Sequence, residues 1–157
     1  MVHSLKVVLA ECVCSEPVSR RRPSCGSALA WLVRLHHRDQ LSLQLQAQLD
    51  SGSVISGGIH AANLVRTERA RHRIDTLFDR FDVLLAPSAS GEAPVGVDAT
   101  GDPLFCRGWT LLGLPCVHLP FTRGINGLPV GLQLVGRWGD DHRLLSSAQW
   151  IYDRLTQ

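Results

Sequence analysis

Lysine is almost absent from this chain. Of its 16 Lys and Arg residues only Lys6 is a lysine, so any chemistry that needs a neutral, buried lysine as base has a single candidate. No apolar run reaches the roughly 18 residues of a membrane span. The apolar stretch at residues 5–14 is interrupted by Glu11 and followed, not preceded, by Arg20–Arg22, which excludes a signal-peptide core. Net charge is only +2 with neutral histidine, too little to point to nucleic acid or an anionic membrane as partner. The five cysteines, Cys12, Cys14, Cys25, Cys106 and Cys116, are odd in number and form no secreted disulfide framework. Cys106 and Cys116 fall in apolar segments where a reduced thiol packs as a small hydrophobe, so a cytoplasmic location is expected. The chain has no internal repeat, no low-complexity tract, no G-x-G-x-x-G and no P-loop, and nothing in it calls for a cofactor.

What is present is the composition of a folded protein, 45% hydrophobic and 19% charged. Its 157 residues fit one domain, which would remove roughly 70% of its unfolded surface from water. Residues 1–30, punctuated by Pro17, Pro23 and Gly26, read as an irregular lead-in, and residues 31–157 as the ordered part. In residues 39–50 leucines alternate with polar residues as in a strand, but Leu41, Leu45 and Leu49 also stack at helical spacing. Without β-branched or aromatic residues, and with Ser51-Gly52 as a stop, the segment is expected to be a helix. A longer helix is expected from Ser56 to Arg80, with Ala70, Ile74, Leu77, Phe78 and Phe81 as its apolar stripe and its arginines on a solvated, salt-bridged face. Buried strands are expected at Val83–Ala86, closed by Pro87, at Cys116–Leu119, closed by Pro120, and at Val130–Val135. Leu104–Leu112 reads as a helix ended by Gly113. Asp140 reads as the N-cap of a last helix with Leu144, Leu145, Ala148, Ile151, Tyr152 and Leu155 on one face. Helices alternating with short strands indicate the α/β class.

Several of these segments carry a pattern. FDVLLAPS at Phe81 to Ser88 is followed by Ala93-Pro94 and a glycine, then by W-T-x-x-G-x-P at Trp109 to Pro115 and a strand ending at Pro120. GLPVGLQLVG at Gly127 to Gly136 comes next, and Asp141 and Leu144-Leu145 open the last helix. In this order, over roughly residues 38–155, the pattern resembles the C-terminal part of the amidase signature family, serine hydrolases that cleave carboxamides with a Ser–Ser–Lys triad. The resemblance implies a partial mixed sheet flanked by helices, lacking the N-terminal catalytic half, with part of the wall of the acyl or amine pocket. By that resemblance Ser88, Phe105, Trp109 and Thr110 are candidates for pocket lining, each with a packing explanation as well. No catalytic, metal or cofactor residue is carried over.

The triad itself needs a nucleophilic serine, a second serine to relay its proton and a lysine to accept it, beside a Gly/Ser-rich oxyanion loop. Ser51 to Gly58, SGSVISGG, imitates that loop, but Val54-Ile55 interrupt it and a turn followed by a helix cap explains Ser51, Ser53 and Ser56. Ala86-Pro87-Ser88-Ala89-Ser90-Gly91 lacks the glycine that a nucleophile elbow places two residues before its serine. Cys12-x-Cys14 with His36-His37 has a spacing too tight for zinc. Asp140 and Asp141 diverge on a helix and suit its N-terminus, and His118 reads as a hydrogen-bonded core residue. Two readings remain open. The chain is the C-terminal fragment of an amidase, inactive alone, with a small-molecule amide as substrate once an N-terminal half completes it. Alternatively it is a non-catalytic module or split-enzyme half that docks on an N-terminal partner chain or a second copy through an exposed sheet edge. Within the family, glutamyl-tRNA amidotransferases of the corresponding type show D-x-Y-T and then an asparagine. Asp102, Phe105-Cys106 and Thr110 depart from that pattern, and W-T-x-x-G-x-P looks more like the broad bacterial amidases.

Overall fold

The computed structural model describes residues 6–9, 36–96 and 101–156. Cys12, Cys14, Cys25 and the Arg20–Arg22 cluster lie outside them. The chain divides into two units, Pro17–Glu68 and Met1–Glu16 with Arg69–Gln157, a division that does not fall at residue 30.

In the first unit a 3-10 turn at Arg38–Gln40 leads into helix α1, Leu43–Ser53. Ser42 caps α1 by accepting from the Leu45 N–H at 3.3 Å. The Arg38 guanidinium forks onto Asp50 at 2.9 and 2.7 Å, and the Gln46 amide donates to the Arg38 and Leu41 carbonyls. The segment is a helix, as its residue types indicate, although none of its side chains is buried. Helix α2, Gly57–Asp75, follows and tightens into a 3-10 turn at Thr76–Asp79.

The second unit is a mixed sheet between helices. Its strands are β1 (Val7–Leu9), β2 (Val83–Pro87), β3 (Cys116–Arg123) and β4 (Pro129–Val135), in the order β1-β2-β4-β3. Only β1 and β2 are parallel; β4 is antiparallel to both β2 and β3. β1 was not expected, because it lies in the stretch read as an irregular lead-in. Its pairing with β2, 76 residues later, leaves no local trace in the sequence.

Alternation along β2 and β4 sends side chains to two cores. On one face Leu84, Ala86 and Val135 pack with Ile74 and Phe78 of the α2 end and with Trp109 and Leu114. On the other, Val83, Leu119 and Leu134 pack with Leu144, Ala148 and Ile151 of the last helix, α4 (Asp141–Leu155). Leu145, Tyr152 and Leu155 are exposed and Ser147 is buried instead, so the inward face of α4 is 144/147/148/151. Asp140 stands at the N-cap position without a side-chain capping bond. Helix α3 spans Leu104–Leu112 and ends at Gly113, whose φ of 69° is left-handed. Gly113 N–H bonds the Thr110 carbonyl and Leu114 N–H that of Trp109, a Schellman closure with buried Leu114 folded over Trp109. Arg71 of α2 donates to the carbonyls of Leu112 and Leu111 at the same helix end.

Two expectations about β3 are corrected. The strand does not stop at Pro120 but runs to Arg123 through a register shift at Pro120/Thr122, and only Leu119 in it is buried. Both follow from its place at the sheet edge, where proline and bulges are tolerated and one side lacks a neighbour. Gly136 brings α4 close, since a Cβ there would lie 2.9 Å from that of Leu144.

Asp82, at the start of β2, joins three elements. It accepts from the Lys6 N–H at 2.7 Å and from Arg143 of α4, while its own N–H donates to the Lys6 carbonyl at 2.8 Å. The Lys6 amide, ahead of Arg143, holds the Asp82 carboxyl below its ordinary value against the opposing effect of burial. A depressed native pKa contributes stability that is complete above the unfolded value of about 3.9 and is lost as pH falls through the native one. Asp82→Asn is expected to flatten the acid limb of stability against pH below about pH 4, measured by urea unfolding at stepped pH. At neutral pH it should cost about 2 kcal/mol, the scale of hydrogen bonds to a charged group.

Candidate functional site

Ser88 leaves the end of β2 and continues its alternation, so it stands on the side of the sheet covered by α3. Its hydroxyl lies 3.1 Å from the Gly131 carbonyl on β4 and 2.6 Å from Nδ1 of His118 on β3. The Cys106 thiol, in the first turn of α3, donates to the Ser88 carbonyl at 3.6 Å. Of the four sequence candidates, Phe105 is half-buried, Thr110 is exposed and Trp109 is buried in the core against β2 and β4. The structure thus brings the first turn of α3 to Ser88 and turns Trp109 inward.

His118 is exposed rather than in the core, though hydrogen-bonded as expected. Its ring lies over Gly131, where a Cβ would meet Nε2 at 2.1 Å and the Leu119 carbonyl oxygen at 2.6 Å. Gln133, paired with His118 across the ladder, is also buried, and its Oε1 has no hydrogen-bond partner. Sequence reasoning passed over both because their significance depends on strand pairing.

Glu92 was also missed. Its carboxylate accepts from the backbone N–H groups of Asn126 and Leu128 and from the Asn126 side chain at 2.7 to 3.1 Å. This clamps the loop after Ser88 onto the β3–β4 hairpin. Burial pushes the Glu92 carboxyl up, but the donors of Asn126 and Leu128 outweigh it and hold it below its ordinary value. Glu92→Ala is therefore expected to speed amide hydrogen exchange at Asn126 and Leu128 selectively, and the wild-type protection should fade as pH falls through the native pKa.

A cleft lined by Phe78, Phe81, Asp82, Arg137 and Arg143 lies elsewhere on this unit. Its arginines are engaged, Arg137 with Asp75 and Asp79, and Arg143 with Asp82. Arg137 in turn holds the Asp75 carboxyl below its ordinary value. Among the described residues no three His, Cys, Asp or Glu side chains are grouped to hold a metal ion, and no helix is long and apolar enough to cross a membrane. Ser51 and Ser53 donate to the Gln48 and Asp50 carbonyls, and Ser56 accepts from the Ile59 N–H at the start of α2. These are the turn-and-cap contacts expected of them.

Comparison with known proteins gives this architecture its relatives. A curated protein of Neisseria meningitidis (serogroup A / serotype 4A), the GatA-type component of glutamyl-tRNA(Gln) amidotransferase, is 32% identical over 108 residues, covering 62% of this chain and 22% of that protein. The protein of the same name from Psychrobacter is 30% identical over 132 residues, 76% of this chain and 26% of its own length. A solved structure described as an amidase superposes with a TM-score of 0.70 at 26% identity, covering 80% of this chain and 32% of that one. The chain thus spans about a quarter of the length of these curated relatives. The Amidase family model matches residues 23–145, and the chain belongs to that family.

Proposed function

We propose that this chain supplies the C-terminal sheet, helices and pocket wall of an amidase that hydrolyses carboxamide C–N bonds, and that it is inactive without a polypeptide carrying the Ser–Ser–Lys apparatus. The observation behind this is the family match over residues 23–145 in a chain whose candidate serines are engaged in local structure. The hydroxyls of Ser51 and Ser53 are bonded within α1, Ser56 caps α2, and Ser88 is held by Gly131 and His118. In this reading the wall runs from Ser88 along the first turns of α3. Phe105 and Thr110 are the members a substrate reaches, and Trp109 supports them from behind. The free thiols of Cys106 and Cys116 favour a reducing cytoplasm as its location.

A second reading within the family, part of a glutamyl-tRNA amidotransferase, is favoured by the names of the relatives from Neisseria and Psychrobacter; the W-T-x-x-G-x-P segment favours the first. In either case the chain would dock on a partner chain that completes the site. Incubation with an active-site serine probe and a panel of simple amides is expected to give neither labelling nor turnover. Stoichiometric labelling, or turnover abolished by mutating one serine, overturns the reading. Addition of the N-terminal portion of an amidase is expected to restore turnover, with a complex visible by size-exclusion chromatography.

A further inference from the structure

The α3 side of the sheet is apolar at one end and polar at the other. Leu84 and Val135 are paired, then Ala86, Gln133 and His118 form the next row, and Gly131 with Pro120 the row after, beside Ser88. Facing residues of a ladder present their side chains on the same side, so Gln133, His118 and Ser88 belong to one patch. Ser88 has a single hydroxyl hydrogen and two partners, the Gly131 carbonyl and His118 Nδ1. Both bonds form together only when the hydroxyl donates to the carbonyl and Nδ1–H donates to the hydroxyl. That assigns the neutral imidazole its proton on Nδ1 and leaves Nε2 as an acceptor.

The same bonding argues against Ser88 as a nucleophile activated by His118, since the hydroxyl hydrogen is directed at a peptide carbonyl rather than a base. The patch is instead short of donors. Nε2 of the exposed His118 has no protein partner among the described residues, and Gln133 Oε1 in the same row is buried and unpartnered although its residue is only 7% exposed. A surplus of acceptors fits a ligand that brings N–H groups.

We propose that His118 is a specificity-determining residue of the amide pocket, its Nε2 accepting a hydrogen bond from the N–H of a bound carboxamide, so that the site selects primary and secondary amides over N,N-disubstituted ones. This rests on the amidase reading above. Ser88 is the positioning residue that sets the tautomer, and Gly131 is the glycine that makes room for the ring.

The test uses the whole chain with ¹⁵N-labelled histidine, His118 being assigned from the spectrum of His118→Gln. Long-range proton–nitrogen correlation is expected to show the Nδ1–H tautomer in the wild type and a solvent-like tautomer mixture in Ser88→Ala. Benzamide is expected to shift Nε2 saturably and N,N-dimethylbenzamide is not, and Ser88→Ala should weaken benzamide by about five- to tenfold, the scale of one hydrogen bond. An Nε2–H tautomer, equal shifts from both amides, or no saturable shift from either overturns the proposal. Binding is read in the isolated chain and turnover only in the complemented one. Benzamide held at His118 with no turnover on complementation would therefore sink the amidase reading alone, and turnover without a His118 response would sink this inference alone.

Discussion

Gly131→Ala is expected to lower stability by about 3 kcal/mol, the upper end of what overpacking a well-filled site costs. The midpoint of thermal unfolding should fall by roughly 6–12 °C for a chain of this size. The added methyl would stand 2.1 Å from His118 Nε2 and 2.6 Å from the Leu119 carbonyl oxygen. The first neighbour can give way, because an exposed imidazole can rotate into solvent once it abandons Ser88. The second cannot, because the carbonyl is fixed in the edge strand. In a His118→Ala background the substitution should therefore recover only part of its cost, and the double-mutant cycle separates the two. If Gly131→Ala is neutral in urea unfolding, the close packing of β3 on β4 is wrong. A full recovery in the double mutant would assign the whole constraint to the imidazole.

Much of the fold was legible because it is local. Gly113 closes α3 through bonds to Thr110 and Trp109, three and five residues from their donors, and the helix carries its own stop signal. β2 and β4 are short apolar runs with side chains buried in alternate directions, so their composition alone marks them. β3 has the same apolar start but lies at an edge, and strand order is not written in its residues. The face of α4 was misjudged because apolar side chains occupy two of its sides, and packing chose the one that buries Ser147 over the one with Leu145 and Tyr152.

The site was less legible for the same reason. Ser88 was singled out from the family pattern, but its partner His118 is 30 residues away and Glu92 reaches Asn126 across 34. Neither contact has a spacing or composition signal. What could have pointed to His118 is Gly131. A glycine inside an apolar strand implies that something from the neighbouring strand approaches closely, and an antiparallel β3 hairpin puts His118 within one residue of that position.

Trp109→Ala is expected to cost about 3–5 kcal/mol, the range for removing a large aromatic side chain from a core. Trp109 was a candidate for lining the pocket, and it is 8% exposed, within the cluster that holds Ile74, Phe78, Leu84, Ala86, Leu114 and Val135. Truncation would open a cavity between α3 and the sheet at the residue whose carbonyl closes the helix onto Leu114. The protein would also lose the side chain over which Leu114 folds. A residue that lined a pocket with one ring face open would lose less, about 1 kcal/mol, the common effect of a point substitution. Urea unfolding followed by far-UV circular dichroism distinguishes the two. Trp109→Phe, which keeps most of the buried ring, should cost well under half as much, and exposed Thr110→Val should stay within about 0.5 kcal/mol. A small loss for Trp109→Ala with a large one for Thr110→Val would reverse which side of α3 faces the sheet, and with it the placement of Phe105 beside Ser88. The expected order, Trp109 large and Thr110 negligible, instead makes the ring the buttress of the wall and leaves the amide-recognising surface to Ser88, His118 and the first turn of α3.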